Sequence, residues 1–268
     1  MKMENTSPNT ALEIHDLTVS YDKKPVLWGI DLDLPAGSLT GIVGPNGAGK
    51  STLIKSVMGL VPSNSGYVRI FNEVLDNVRD RVSYVPQRES VDWDFPASAL
   101  DVVMMGRYRK MGFFKRPRKA DREAALHALD QMGMAPFHNR QISQLSGGQQ
   151  QRVFLSRALT QDTDIYLLDE PFAGVDASTE KAIIKILKGL TKNGKTIVVV
   201  HHDLQSVTTY FDRVILLNLR LIKCGPTKEV FIPRFLEETY GGKLTLLNEV
   251  EELVQKGEFP MREKNLTP

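Results

Sequence analysis

The sequence predicts an α/β protein with a mostly parallel sheet, an antiparallel β subdomain and a helical subdomain. Alternating apolar and acidic residues at 30–34 are typical of a half-exposed antiparallel strand. Later segments such as 183–190 place apolar residues at helical spacing between strands, which favours parallel pairing. Short continuous apolar runs, typical of strands covered on both faces, stand at 39–43, 165–168, 197–200 and 214–217.

The composition is that of an ordinary globular protein. The chain has 268 residues, of which 41% are hydrophobic and 25% charged, so it can bury a sizeable core. A net charge of +2 is too small to indicate nucleic acid or a membrane by itself. The single cysteine, Cys224, excludes an internal disulfide and fits a reducing compartment. No apolar run reaches the roughly 18 residues of a membrane span, so we expect any membrane role to act through a partner.

The segment from Gly44 to Ser51 has the spacing of a phosphate-binding loop, with four residues between its first glycine and Gly-Lys-Ser. It follows an apolar strand and precedes a helical pattern, so backbone N–H groups and the positive helix end converge on one point. We expect a nucleoside triphosphate with Mg²⁺ in a P-loop NTPase core, Lys50 on the terminal phosphates and the Ser51 hydroxyl on the metal. The expected contacts are Gly44, Pro45, Asn46, Gly47, Ala48, Gly49, Lys50, Ser51 and Thr52.

Two carboxylates, Asp169 and Glu170, end the apolar run at 165–168. The carboxyl ends of parallel strands share one edge of a sheet, so both belong beside the phosphate loop. Neighbouring residues of an extended chain point in opposite directions, and we assign Asp169 to Mg²⁺ through water and Glu170 to general base catalysis. A strand that simply ends in solvated charges is the alternative. A later strand runs into His201 and His202, and either can approach the γ-phosphate.

A second glycine motif, Leu-Ser-Gly-Gly-Gln at 145–149, precedes another helical pattern at 150–159. Its serine and glycines offer N–H donors at a positive helix end, which indicates a second anion site. An ordinary helix capped by Ser146 is the alternative.

In their order along the chain, these elements resemble the ATP-binding-cassette (ABC) ATPases over roughly residues 12–230. The series is the phosphate loop, Gln87, the motif at 145–149, the acidic strand end and His202. The resemblance implies that the nucleotide is ATP. It also implies that two copies associate head-to-tail, so that the motif of one closes on the ATP held by the other.

The same resemblance implies roles for individual residues. Gln87 would sense Mg²⁺ and the attacking water, Tyr21 would stack on adenine, and Asp176 would lie at the dimer seam. His202, rather than His201, matches the switch histidine of the family. The catalytic set would be Lys50, Gln87, Glu170 and His202, with Ser51, Gln87 and Asp169 at the metal. The contacts to the partner's nucleotide would be Ser146, Gly147, Gly148 and Gln149.

The implied organisation is an ATPase domain at 11–242, with a helical subdomain at roughly 90–160. Residues 1–10 are expected to be a flexible N-terminus and residues 243–268 a C-terminal tail. The turn-like position of Leu219 is one where glycine would be easier.

The segments 88–96 and 101–108 are similar to those of the subgroup that serves manganese, zinc or iron importers. This implies a peripheral subunit on the cytoplasmic face of the inner membrane, driving uptake through integral permease subunits and indirectly served by an extracytoplasmic metal-binding protein. Chelated iron or cobalamin is the alternative cargo. Trp93 and Phe95 would line a groove for a membrane-subunit helix, or else pack inside this chain.

Three rival functions follow from other features. The basic and aromatic run at 107–119 is the mixture expected of nucleic-acid contact, but a solvated face is the commoner reading and we expect no nucleic acid. A P-loop kinase or GTPase would lack the motif at 145–149. A cassette that binds ATP without turnover would not need both Glu170 and His202.

Overall fold

The computed structural model describes residues 9–22, 24–111 and 116–241. The strands are β1 Thr10–Tyr21, β2 Lys24–Pro35, β3 Leu39–Val43, β4 Ser65–Ile70, β5 Val82–Val85, β6 Ile165–Asp169, β7 Thr196–Val200, β8 Arg213–Asn218 and β9 Arg220–Pro226. The helices are α1 Lys50–Val57, α2 Leu75–Val78, α3 Ala99–Met105, α4 Tyr108–Met111, α5 Lys119–Gln131, α6 Gly147–Gln161, α7 Ala177–Lys192, α8 Val207–Tyr210, α9 Thr227–Val230 and α10 Pro233–Tyr240.

The strands form two sheets, as the sequence predicts. The larger has the order β5-β6-β7-β3-β8-β9, and all its neighbours are parallel except β8 and β9. Its strands β3, β6 and β7 are buried along their whole length, in agreement with their continuous apolar runs. The smaller sheet is antiparallel, with the order β2-β1-β4. The predicted α/β fold with a separate antiparallel subdomain is confirmed.

Helix α1 lies between the two sheets. Its Leu53, Ile54 and Val57 are buried in one cluster with apolar residues from both sheets, including Ile14 of β1 and Val198 of β7. The helix therefore fixes the phosphate loop, which immediately precedes it, against both halves of the domain.

The turn between β8 and β9 provides a second tie between the sheets and the loop. Leu219 has φ +57°, the left-handed region that favours glycine, as its position in the sequence suggests. Its N–H donates to the Ala48 carbonyl at 3.0 Å, and its carbonyl accepts from the Trp28 N–H at 2.8 Å. The guanidinium of Arg220 covers the Trp28 ring at 4.4 Å. One strained residue thus joins β2, the β8–β9 turn and the phosphate loop.

Helices α3, α5 and α6 pack against one another, and the bounds of the helical subdomain stay a prediction. Two of them begin with reciprocal capping boxes, Ser98 with Asp101 and Ser146 with Gln149. An ion pair of 3.0 Å joins Arg107 to the buried Asp121 of α5. The first residue of the basic run is therefore engaged inside the protein, whereas positions 112–115 lie outside the described residues.

Thr10, inside the predicted flexible N-terminus, already belongs to β1. Residues 1–8 and the predicted tail at 243–268 lie outside the described residues. Within the described part of the chain, no helix combines the length and apolar character needed to cross a bilayer.

The position of α1 predicts a large loss of stability for Leu53→Ala. Leu53 is only 2% exposed, so truncation removes buried contacts with both sheets and should lower the free energy of unfolding by about 2–5 kcal/mol. Urea unfolding of the nucleotide-free protein measures the change. Leu60→Ala, at a side chain that is 57% exposed, is the matched control and should be nearly neutral. Equal losses in the two variants would contradict this account of α1.

Candidate active site

The phosphate loop between β3 and α1 is a backbone turn that tolerates little beyond glycine at its ends. A Cβ on Gly44 would lie 2.0 Å from the Leu217 carbonyl oxygen. Gly49 has φ +91°, and a Cβ there would lie 2.6 Å from the Leu27 side chain. Gly47 also has positive φ, but with open space around it. The loop is thus held close to β8 and β2, and its middle faces an open volume.

Lys50 lies at the first turn of α1 and is 7% exposed. Its Nζ donates to the carbonyls of Gly44 at 2.8 Å and Pro45 at 2.9 Å. Burial lowers the pKa of Lys50, while the nearby Glu170 and Asp169 oppose that shift. Carbonyls are weaker partners for an ammonium than phosphate oxygens, so the geometry suits exchange of these bonds for a phosphate.

Ser51 and Asp169 meet where the sequence places them. The Ser51 hydroxyl donates to Asp169 Oδ1 at 2.9 Å. Asp169 is fully buried, and burial raises its pKa. Its Oδ2 is buried with no hydrogen-bond partner in the described structure. A hydroxyl beside an unsatisfied carboxylate oxygen is a donor set that fits a hydrated Mg²⁺, which takes few protein ligands. Among the described residues, no group of three or more histidine, cysteine or acidic side chains is placed to hold a metal ion.

Glu170 and Gln87 also lie together. The Gln87 amide Nε2 donates to Glu170 Oε2 at 3.3 Å, joining the segment after β5 to the end of β6. Glu170 has φ +51°, a left-handed conformation directly after the strand. Its carboxylate contacts Gln87, while that of Asp169 contacts Ser51. The two carboxylates therefore have separate partners, and their roles at Mg²⁺ and at the attacking water stay predictions.

The two histidines differ sharply in surroundings. His201 is 2% exposed, and its ring contacts those of Phe172, Tyr210 and Phe211. Its Nε2 lies 2.7 Å from Ser206 Oγ, and burial lowers its pKa to about 4. His202 is exposed. A ligand arriving from solvent therefore meets His202, and the switch role assigned to that residue stays a prediction.

The signature loop, residues 146–149, performs the capping role that was its alternative interpretation. Ser146 Oγ accepts from the Gln149 N–H at 3.4 Å, and Gln149 Oε1 accepts from the Ser146 N–H at 3.0 Å. A Cβ on Gly148 would lie 2.5 Å from the Gly174 carbonyl oxygen. In the described part of the chain, no hydrogen bond joins 146–149 to the phosphate loop. One copy of the chain does not bring the two glycine motifs together.

Asp176 and Tyr21 are placed at the surface. Asp176 caps α7, accepting from the backbone of Ser178 at 3.1 Å and Thr179 at 3.0 Å. Hydrogen bonds from the Ser178 and Thr179 hydroxyls are the main cause that lowers the pKa of Asp176. Tyr21 ends β1 and is 46% exposed, so its ring can stack on a ligand. Their roles at the dimer seam and on adenine stay predictions.

Trp93 and Phe95, the aromatic residues after Gln87, differ in whether they pack inside the chain or face solvent. Trp93 packs within the chain: its Nε1 donates to the Arg88 carbonyl at 2.9 Å, and its ring lies 4.8 Å from that of Phe154. Phe95 is 50% exposed. Trp93 thus has the internal packing that was the alternative interpretation, and the groove role of Phe95 stays a prediction. Arg88, directly after Gln87, donates to Gln150 Oε1 of α6, a contact that the sequence pattern does not predict.

A family model described as "ABC transporter" matches residues 27–173, which include both the phosphate loop and the acidic strand end. The manganese transport system ATP-binding protein of Bacillus subtilis is 59% identical over 238 residues, covering 89% of this chain and 95% of that protein. The zinc transport system ATP-binding protein of Treponema pallidum is 54% identical over 235 residues, covering 88% of each.

Solved structures share the fold. An ABC transporter assigned to the metal-chelate type, in an inward-facing conformation, has a TM-score of 0.74 at 27% identity over 86% of this chain and 88% of that one. An ATP-binding cassette captured as a dimer with ADP and phosphate has a TM-score of 0.71 at 29% identity, over 80% of this chain and 98% of that one.

The contacts of Lys50 predict that Lys50→Ala abolishes tight ATP binding, because the loop loses the one ammonium placed between Gly44 and Pro45. Equilibrium titration with a fluorescent ATP analogue measures the affinity. Lys185→Ala, on the exposed face of α7, is the control and should bind like the wild type. Unchanged affinity in Lys50→Ala would show that the loop is not the nucleotide site.

The burial of His201 predicts a pH-dependent stability. Its pKa of about 4 in the folded protein lies below the unfolded value of about 6.5, so the unfolded state binds the extra proton. Stability contributed by neutral His201 is present above the unfolded pKa and is lost as pH falls toward 4, by about 2 kcal/mol between about pH 7 and pH 5. Urea midpoints at both pH values should shift less in His201→Gln than in wild type or in His127→Gln, an exposed control. Identical shifts in all three proteins would contradict the assignment.

Proposed function

The chain belongs to the ABC transporter family of ATP-hydrolysing subunits, and we propose that it powers the uptake of a transition-metal ion, manganese or zinc, through a membrane permease. The observation that carries this proposal is the 59% and 54% identity to manganese and zinc transport ATPases, over nearly the whole of both chains. The segments at 88–96 and 101–108 support it, since they are the part of the sequence that resembles metal importers. The transported ion is cargo and needs no ligand in this subunit.

At the nucleotide, each named residue has a task that its position suits. Lys50 would exchange its two carbonyl partners for phosphate oxygens, and Ser51 with Asp169 would hold Mg²⁺. When bound, Mg²⁺ supplies positive charge that neutralises the phosphates during transfer. Glu170 would take a proton from the attacking water, and Gln87 would orient that water and the Glu170 carboxylate from its place beside it.

The second half of the site would come from a second copy of the chain. The signature loop contacts Gly174 and its own helix, and the phosphate loop lies elsewhere in the same chain. A dimer with twofold symmetry would bring each signature loop onto the partner's γ-phosphate. The dimeric ADP-bound relative supports this arrangement. Asp176 would then lie at the seam, Tyr21 on adenine, and His202 within reach of the γ-phosphate.

The membrane partner would dock beside the segment after Gln87. Phe95 is half exposed there, and Trp93, two residues earlier, packs on Phe154 of α6. An exposed phenylalanine beside an anchored segment suits apolar contact with a helix of a permease subunit. The chain would thus be a peripheral subunit on the cytoplasmic face of the membrane, and an extracytoplasmic metal-binding protein would deliver the ion to the permease.

The experiment is metal uptake in the source cell. A strain that lacks this gene is complemented with the wild type or with Glu170→Gln, and accumulation of radioactive manganese and of zinc is followed. The wild type should restore uptake of one of these ions. Glu170→Gln should not, because loss of the general base slows hydrolysis by about 10²–10⁴-fold.

Two controls make the result decisive. Immunoblotting establishes that both proteins are present in equal amounts, and Lys185→Ala serves as a variant that should transport like the wild type. Normal manganese and zinc uptake in the deletion strain, with uptake of chelated iron or cobalamin lost instead, would overturn the metal-ion proposal while leaving the ATPase assignment intact.

A further inference from the structure

Arg88 follows Gln87 and joins a different part of the molecule. Its Nε and Nη2 both donate to Gln150 Oε1, at 3.2 and 3.1 Å. Gln150 lies in the first turn of α6 and is 3% exposed, and its Nε2 donates to the Ile142 carbonyl at 3.0 Å. Gln87 therefore contacts Glu170 after β6, and the adjacent Arg88 contacts the first turn of α6.

The guanidinium of Arg88 also lies directly against the signature loop. A Cβ on Gly147 would be 2.9 Å from Arg88 Nε, so a side chain there would push the guanidinium aside. On the neighbouring residue, a Cβ on Gly148 would be 2.5 Å from the Gly174 carbonyl oxygen. The first turn of α6 is thus held between Arg88 on the segment after β5 and Gly174 on the segment after β6.

The segment that carries Arg88 is itself well anchored. The Arg88 carbonyl accepts from Trp93 Nε1 at 2.9 Å, and its guanidinium lies 5.9 Å from the centre of the Trp93 ring. Trp93 in turn packs on Phe154 of α6. A displacement of α6 would therefore move Arg88, and with it the backbone of Gln87.

The acceptor of Arg88 is the neutral amide of Gln150. The ion pairs found among the described residues do not include its guanidinium. Its positive charge lies beside the N-terminus of α6, where the helix dipole is also positive. Like charges at this point disfavour the arrangement in the absence of an anion. An arriving phosphate would relieve that repulsion and draw the helix start and Arg88 together.

We propose that Arg88 is a positioning residue that couples the placement of the signature loop to the contact between Gln87 and Glu170. Closure of the signature loop on the partner's nucleotide then sets the position of Gln87 in the same chain, and so links the two nucleotide sites of the dimer. The inference rests on the proposed function, because it takes residues 146–149 as the contact to the partner's phosphate.

A double-mutant cycle on the full-length protein tests the coupling. Arg88→Met and Gln150→Met each remove one side of the bidentate bond, and each should lower kcat by about 10- to 100-fold through misplacement of Gln87. Because both remove the same interaction, the double variant should be no slower than the slower single variant. Arg88→Lys, which keeps the charge, should recover part of the rate. Arg79→Met, at an arginine paired on the surface with Asp76, is the control.

Two further readouts separate positioning from a general structural role. Affinity for ADP, which needs only the phosphate loop of one chain, should stay within about twofold of wild type, as expected when an effect is confined to the transition state. Melting temperatures show whether the variants fold. Wild-type kcat in Arg88→Met, additive losses in the double variant, or parallel losses of kcat and ADP affinity would each overturn the proposal. Such a failure leaves wild-type hydrolysis and metal uptake intact, whereas failure of the proposed function appears in the uptake assay itself.

Discussion

The hydrogen bond from Ser51 to Asp169 is the contact on which the nucleotide site depends. Asp169 pairs in register with Val200 on β7, and Val200 pairs with Ile42 on β3. The carboxylate therefore stands two strands away from the phosphate loop, at the same edge of the sheet. Burial of an ionised carboxylate costs several kcal/mol unless charge and hydrogen bonds compensate it. One oxygen has Ser51 and the other has no partner, so the fold retains an unfavourable group that a divalent cation would stabilise.

The remaining groups of the site are arranged around that constraint. Lys50 bonds to carbonyls of its own loop, and Gln87 bonds to Glu170, so both side chains are held in place at the proposed nucleotide site. The signature loop has a capped helix start and lies apart from the phosphate loop. In the proposed dimer, a single chain would hold two half-sites, and nucleotide would complete both when two chains meet. ATP binding and hydrolysis would then switch the protein between associated and separated states.

Much of this arrangement is predictable from the sequence because it depends on local chemistry. Contiguous residues encode the phosphate loop, the acidic strand end and the buried strands. Ser51 contacts Asp169 and Gln87 contacts Glu170, as the order of the motifs suggests. Other features depend on residues distant in sequence. His201 is buried because Phe172, Tyr210 and Phe211 surround it, and no pattern around the histidine itself reveals that. Trp93 packs inward on Phe154, which lies about sixty residues later in the chain.

The central claim is that each ATP lies between two copies of this chain. A crystal structure of the Glu170→Gln protein with ATP and Mg²⁺ measures it directly, through the distance from Ser146 Oγ to the nearest γ-phosphate oxygen. The account predicts a twofold dimer in which the Ser146 of one protomer lies within hydrogen-bonding distance of the γ-phosphate bound at its partner's Lys50. An ATP-loaded protein in which Ser146 faces solvent, far from every phosphate, would contradict it.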